Sequence, residues 1–394
     1  MKEFNQLRIA LALIESYQGE VPLALYLRNE FRKTPAMGSR DRRLMRSLVN
    51  NYFRIGNFAF GLGIQERLLI ANLICETEMK VNADVLEHFL PSLNPSILSL
   101  NIKGRKKKIE AFYGESFIDK LFPFPDLISG QLNKEAYILS LLVQPMLWIR
   151  IRKNHLEQVI HELKKSNIEF LQDEQSELCL GFSNSVPLNT LTSYKSGFFE
   201  IQDKSSQMSL RNLPFASGQK WWDACSGSGG KSLLLKDICE NIELTVSDIR
   251  RSILVNLKER MKKAGHKKFN VMQFNAASDE VTDKKSYDGI IADVPCSGSG
   301  TWSRTPESLQ FFNKKKLEDY FVPLQRKIAQ NLTKGLKEGG TFAYITCSVF
   351  EAENEGNVEV IKEKSGLELI SSTYMRGYSE KADTMFCAIL KKSG

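Results

Sequence analysis

Two cysteines and one glycine-rich turn are where this sequence concentrates chemistry. Cys296, in VPCSGSGTW, and Cys347, in ITCSV, each follow a short apolar run, so each thiol is placed at the turn that ends a predicted strand, where exposed catalytic side chains commonly stand. A thiolate at such a place is a nucleophile if its surroundings favour the deprotonated form. The turn DACSGSGGKS, residues 223–232, reads as a strand, a tight turn and a helix start. A triphosphate-binding loop would need a glycine five positions before Gly230, where Cys225 stands. A dinucleotide fingerprint begun at Gly227 would need a glycine where Ser232 stands. Both phosphate cradles fail by one residue, although loop amides and a following helix start still suit an anionic or carboxylate group.

These residues need a scaffold, and the pattern from residue 197 onward supplies one. KWWDAC, ELTVSD, FNVMQFN, YDGIIADVPC and TFAYITCS read as strands; helices are expected from Lys231, through Lys262, and around Leu324 to Leu336. Such alternation means a mostly parallel, doubly wound α/β sheet with helices on both faces. Ligands in that fold bind beyond the carboxyl ends of the strands. The strand-end residues are Asp223, Asp248, Asn275, the run Asp293-Val294-Pro295-Cys296, and Thr346-Cys347-Ser348. Asp248 is placed to accept hydrogen bonds from ribose hydroxyls, or to cap the helix that follows it.

The rest of the chain is organised differently. At 394 residues, a prior of roughly 150 residues per domain suggests two or three domains. Residues 1–140 carry helical periodicity, with Phe4, Leu7, Leu11 and Ile14 on one face, and are expected to form an all-helical domain and a connector broken by LFPFPD. Residues 141–200 are expected to form a small α+β module: PMLWIRIR, IEFLQ and LCLGF as strands, HLEQVIHELKKSN as an amphipathic helix. Residues 201–394 are the third part. The net charge is +8, clustered in SRDRRLMR and KGRKKK, which hints at a polyanionic partner although solvated helix faces look alike. Seven cysteines without a C-x-x-C pair, and four histidines without metal-ligand spacing, argue against disulfides, a structural zinc and any metal site. Without a membrane-length apolar run or a leader pattern, a cytoplasmic protein is expected. Cys75, Cys179, Cys239 and Cys387 read as small core hydrophobes, and Cys225 as a loop-packing residue.

FEIQDKSSQ, DACSGSGGKS, DVPCSGSGTWSRTPE and TCSVFEAENE, in this order and spacing, resemble the Sun (Fmu, RsmB-like) family of S-adenosylmethionine-dependent RNA cytosine-5 methyltransferases. The resemblance covers residues 197–394 strongly. GSRDRRLMRSLVNNYFR looks like the NusB-like helical domain of bacterial members, and residues 145–200 like their small RNA-recognition module. The implied fold is a Rossmann-like class I methyltransferase domain, preceded by that module and the helical domain.

The resemblance implies that Cys225, Ser226, Gly227, Ser228, Gly229, Gly230 and Lys231 wrap the methionine part of S-adenosylmethionine, with Lys231 at its carboxylate. Asp248 would hold the ribose and Asn275 would lie near the adenine. Ser226-Gly227-Ser228 replaces the family's commoner Ala-Ala-Pro, and Asn275 replaces its commoner Asp. Cytosine C5 is a poor nucleophile, and addition of a thiolate at C6 overcomes this. Cys347 is the implied nucleophile, Cys296 the group that assists release, and Asp293 the contact to the N3 and amino edge of the base, as well as a residue of the cofactor site. A reversal of the two cysteines, as in DNA cytosine methyltransferases, is the mechanistic rival. Arg304, Lys204 and Arg251 are candidate phosphate contacts. RNA, foremost 16S ribosomal RNA, is the expected partner of a monomer. Transfer RNA is the runner-up, a ribosome-assembly factor with little catalysis comes next, and amino-group methylation ranks last because Cys296 stands where that chemistry wants a Pro-aromatic turn.

Overall fold

A computed structural model describes residues 2–76, 79 and 81–394. By contacts the chain divides into two compact units, the first comprising residues 1–126, 133–144 and 301–312, the second residues 127–132, 145–300 and 313–394.

The first unit is helical, with helices that include Lys2–Glu15, Leu23–Lys33, Ser39–Arg54, Ile64–Ile74, Ile102–Tyr113 and Lys134–Ser140. Leu7, Leu11 and Ile14 are buried from the first of these, as the three-to-four spacing requires, and Leu44, Leu48 and Phe53 from the third. The helix Phe117–Leu121 stops just before the prolines of LFPFPD. Arg54, 1% exposed, donates to the carbonyls of Leu141 and Ser303 at 3.0 and 2.6 Å, so its guanidinium closes loops rather than meeting solvent. Trp302 is equally enclosed, its ring 5.8 Å from that of Phe122 and 5.2 Å from that of Phe312. Arg40, Arg43 and Arg46 of the basic stretch are exposed on the helix Ser39–Arg54.

The second unit holds two sheets. Strands β1 (Leu147–Ile151), β2 (Leu171–Asp173), β3 (Ser176–Phe182) and β4 (Phe199–Ile201) form an antiparallel sheet in the order β2-β3-β1-β4. The helix Leu156–Lys165 belongs to its core, where Val159 and Leu163 meet Ile149, Ile151, Leu180 and Phe182. Strands β5 (Lys220–Asp223), β6 (Glu243–Asp248), β7 (Asn270–Gln273), β8 (Tyr287–Asp293), β9 (Leu336–Thr346), β10 (Leu367–Arg376) and β11 (Thr384–Lys392) form the large sheet, ordered β10-β11-β9-β8-β5-β6-β7. β5 to β9 run parallel; β10 and β11 add an antiparallel edge. Strand order reverses beside β5, which places a crevice above the carboxyl ends of β5 and β8. The helix expected around Leu324 to Leu336 spans Val322–Leu332 instead, and Leu336 already begins β9. The strand expected from Thr341 thus starts five residues earlier, across Gly339 and Gly340.

Ion pairs weld the two sheets. Arg152 meets Glu200 at 3.0 Å, Arg260 meets the other oxygen of Glu200 at 2.8 Å, and Arg152 also donates to the carbonyl of Ala264. Buried pairs of this kind fix register more than they add stability. Lys204 is part of the same weld: it is 3% exposed and bonded to Asp173 and Glu380. It is therefore a structural cation and not the exposed phosphate contact its charge suggested.

Candidate active site

The glycine-rich turn is built by Ser247. Its hydroxyl accepts from Trp222 Nε1 at 2.9 Å and donates to the carbonyl of Ala224, while its own carbonyl accepts from the amide and hydroxyl of Ser226 at 2.8 and 2.9 Å. The ends of β5 and β6 are thus clamped side by side. Gly229 then takes φ +85° to start the helix Gly230–Ile238, and a Cβ there would lie 2.8 Å from Leu257. Only glycine meets both conditions. Gly227 also has positive φ, +51°, but faces open space. The carbonyl and hydroxyl of Ser228 accept from Arg260 at 2.6 and 2.9 Å. Both serines that depart from the family pattern therefore use their hydroxyls on partners within the protein, Ser226 buried and Ser228 at the surface. Burial, with the carboxylates of Asp223, Asp293 and Asp248 near, pushes the Cys225 thiol far above its ordinary range.

Lys231 is 7% exposed and pairs with Asp293 Oδ2 at 2.6 Å. This excludes the reading of Lys231 as a solvated helix residue. Burial works against its charge, yet Asp293 and Asp223 outweigh that and hold its pKa above the usual lysine value. Asp248 does not cap the helix after it: that helix is Arg251–Lys263, its N-cap is Arg250, and Asp248 Oδ1 accepts from Arg250 N at 2.8 Å. Its Oδ2 accepts from Gly227 N at 3.1 Å, so the acid braces the glycine turn. The next side chain, Ile249, is 55% exposed, an apolar surface at a strand end that sequence patterning passed over. Asn275 lies past the end of β7, and its side-chain carbonyl accepts from Ala277 N at 3.1 Å.

Asp223, at the base of the turn, is fully enclosed; Ser232 donates to its Oδ2 at 2.5 Å, and its Oδ1 has no hydrogen-bond partner. Burial first, with Asp293 adding to it against the Ser232 hydrogen bond, raises its pKa to about 7. An unfolded carboxyl titrates near pH ~4, so between about pH 4 and 7 the folded chain holds the extra proton and stability falls as pH rises through that window. The full effect is on the order of 4 kcal/mol. Asp223→Asn is expected to flatten this slope, so that the variant gains on the wild type between pH 5 and 7.5 in urea denaturation. An unchanged difference at the two pH values would remove Asp223 as the source.

Pairing of β8 with β9 sets Asp293 opposite Ile345, and both chains then turn out of the sheet. The result is a Cys296 Sγ to Cys347 Sγ distance of 3.3 Å. Gly300 N donates to the carbonyl of Cys347 at 2.9 Å, and Val349 N to Ser299 Oγ at 2.9 Å, so the two cysteine turns are stitched together. A buried polar group surrounds them. Asn354 accepts from Thr346 Oγ1 at 2.5 Å and donates to the carbonyl of Ser348 at 2.9 Å; Asn357 donates to Gln325 Oε1 at 2.7 Å. Sequence reasoning missed Gln325, Glu353, Asn354 and Asn357 as site residues; only the quoted TCSVFEAENE motif touched two of them. Arg251 is exposed at the start of its helix, and Arg304 belongs to the first unit. Among the described residues no cluster of His, Cys, Asp or Glu has the makings of a metal site, and no helix is long and apolar enough to cross a membrane.

Residues 211–387 match the family model described as 16S rRNA methyltransferase RsmB/F. That stretch of the chain is similar to this family. The chain also aligns with curated relatives named Ribosomal RNA small subunit methyltransferase B. The one from Klebsiella pneumoniae is 24% identical over 217 residues, 55% of this chain and 50% of the relative. The one from an Enterobacter species is 23% identical over 263 residues, 65% of this chain and 61% of the relative. The chain thus spans about half to three fifths of the length of these relatives. Among solved structures, PH0851 superposes with a TM-score of 0.75 over 98% of both chains at 18% identity. NSun6 from Pyrococcus horikoshii, solved with SFG, gives 0.59 over 69% of this chain and 97% of its own, also at 18% identity. The second unit accordingly has the Rossmann-like fold that the motifs imply.

The fit of its crevice to S-adenosylmethionine rests on the donor set. The helix start and buried Lys231 would suit its carboxylate, Asp248 would suit its ribose diol, exposed Ile249 would suit its flat base, and the open space at Gly227 would leave room for it.

Proposed function

We propose that this chain transfers a methyl group from S-adenosylmethionine to C5 of a cytosine in RNA, with 16S ribosomal RNA as substrate, through a covalent bond between cytosine and Cys347. The single observation that carries this reading is the thiol pair, 3.3 Å apart at the ends of adjacent strands. One sulfur forms a bond to the ring and the other lies at the site where that bond must later break. A binding scaffold has no physical need for such a pair. SFG, an analogue of the cofactor, in a structure of the same fold supports the choice of cofactor, and the names of the curated relatives support the choice of RNA.

The Cys347 thiolate adds to C6, and the electron pair of the C5–C6 double bond makes C5 nucleophilic. Asp293, anchored by Lys231, accepts a hydrogen bond from the amino group of the base and holds the ring at Cys347. S-adenosylmethionine, when bound, supplies the electrophilic methyl carbon; Lys231, Asp248 and the turn from Cys225 to Gly230 hold it, with Asn275 near its adenine. A base, a water molecule in the simplest case, takes the C5 proton, its electron pair restores the double bond, and the Cys347 sulfur leaves as the thiolate, with the Cys296 thiol beside it to donate a hydrogen bond as it departs. The target base must be out of any stack to reach both sulfurs, so an RNA loop or an unfolded segment is the expected site. The helical unit, with Arg40, Arg43 and Arg46 exposed, supplies contacts that position the RNA without reading it.

The test is transfer from labelled S-adenosylmethionine to purified 16S ribosomal RNA and, in parallel, to transfer RNA, followed by nucleoside analysis. Label in 5-methylcytidine from 16S RNA is expected. Label in transfer RNA alone moves the substrate, label on the amino group of cytidine overturns the chemistry, and absence of label from both RNAs and from isolated small ribosomal subunits leaves an RNA-binding factor.

A further inference from the structure

Two thiols at 3.3 Å raise a question that the motif does not answer, namely what makes them unequal. The residues around each sulfur differ. Glu353 is completely buried behind Cys296; its Oε1 accepts from Ser297 N and from Gln325 Nε2, both at 2.8 Å, and its Oε2 accepts from Ser297 Oγ at 2.5 Å. All three donors are neutral, and among the described residues Glu353 forms no ion pair. Gln325 Nε2 also donates to the carbonyl of Pro295 at 2.9 Å. Glu353 and Gln325 therefore grip the backbone on both sides of Cys296, at Pro295 and at Ser297. The chain that delivers Glu353 is the short turn Glu351–Glu353, which follows Cys347 itself.

We propose that Glu353 is a positioning residue that holds Cys296 as the neutral thiol and leaves Cys347 as the thiolate. A carboxylate enclosed with neutral partners keeps its field, because neither water nor a counter-ion screens it. That field disfavours a second negative charge on Cys296. Cys347, the other sulfur of the pair, lies within the field of the Lys231 ammonium. The other groups facing Cys296 do not reverse this. Tyr344 from β9 donates its hydroxyl proton to the carbonyl of Glu353 and stays neutral, burial having raised its pKa. Arg326, on the helix Val322–Leu332, is turned to Asn357 Oδ1 at 2.7 Å. The Cys296 thiol is accordingly raised well above the ordinary thiol value, by its contact with Cys347, by burial and by the charge of Glu353. A Cys296 S–H that donates to the Cys347 sulfur completes the arrangement. One proton is shared between two sulfurs, and its location decides which one attacks.

The proposal rests on the methyl-transfer reading only for the use made of the thiolate; its test needs neither RNA nor cofactor. Wild type and Glu353→Gln are alkylated with iodoacetamide across pH 6 to 10, and Cys296 and Cys347 are followed separately by peptide mass. In the wild type Cys347 should react at lower pH than Cys296. Glutamine keeps an acceptor for Ser297 N but removes the charge, so the Cys296 midpoint should fall by about one pH unit and the preference for Cys347 should shrink ~10-fold. Glu353→Asp, which keeps the charge, should restore the preference. A structural role alone would change both rates at every pH and leave the separation of the midpoints intact; that result overturns the proposal. Should Glu353→Gln not fold, Cys347→Ala provides an independent check: Cys296 must still titrate above the ordinary thiol value of about 8.5, and a return to that value overturns the proposal. Loss of methyl transfer with the thiol asymmetry intact would instead count against the function proposed above.

Discussion

Replacing Cys347 by alanine is expected to lower methyl transfer by at least about 10³-fold, because the residual catalysis left after loss of a nucleophile comes from binding and orientation alone. Cys296→Ala is expected to behave in a different way. Addition at C6 and methylation at C5 proceed, release fails, and RNA stays attached to the protein. Denaturing electrophoresis with labelled RNA distinguishes the two: a retarded band with Cys296→Ala and none with Cys347→Ala. The distance of 3.3 Å between the sulfurs gives each access to the same carbon neighbourhood, so the assignment depends on their environments rather than on reach. A retarded band with Cys347→Ala would reverse the roles and make Cys296 the attacking group. A double variant should lose both the product and the band.

Gly300→Ala is expected to damage the site through the backbone. A Cβ on Gly300 would fall 2.0 Å from the carbonyl oxygen of Thr384 and 3.0 Å from that of Cys347. Neither is a flexible side chain, so the strand β11 or the Cys347 turn must move. The destabilisation should be on the order of 3 kcal/mol, seen as a lower midpoint in urea, and transfer activity should fall with it because the hydrogen bond from Gly300 N to Cys347 O ties the turns together. Gly227→Ala is the control. Its Cβ meets nothing within 4 Å although φ is +51°, so its cost is the left-handed backbone alone, about 1 kcal/mol. Equal midpoints for Gly300→Ala and wild type would show that the β11 contact gives way freely.

What the sequence discloses about the site follows from the kind of signal each residue carries. Cys296 and Cys347 were legible because each ends an apolar run, and a parallel sheet carries strand ends to one edge. The helix bounds were blurred where Gly339 and Gly340 mask the start of β9. A lysine misled in the most instructive way. Lys204 read as a candidate phosphate contact, yet it is under a tenth exposed, because its partners, Asp173 and Glu380, come from distant parts of the chain. The same holds for Gln325, Glu353 and Asn357. Buried polar networks have no period, and their partners are set by the fold rather than by spacing, so only coordinates reveal that the cysteine turns rest on them. Asp248 illustrates a subtler limit: an acid before a helix suggests a cap, whereas here the helix starts two residues later than that role needs, leaving its carboxylate to brace Gly227.

The division of the chain into units has a consequence for anyone who wishes to dissect it. After Gly300 the polypeptide leaves the second unit, contributes residues 301–312 to the helical one, and returns at Asn313; residues 127–132 make the opposite excursion. The two bodies are therefore interlaced along the chain, and no single scissile point separates them into complete halves. A fragment ending at residue 144 would present Phe122 without the indole of Trp302 that packs on it, and a fragment starting at residue 145 would carry that indole with no place to bury it. Modules that look like beads in the linear order are interleaved along the chain, so a cut between residues 144 and 145 leaves neither unit whole.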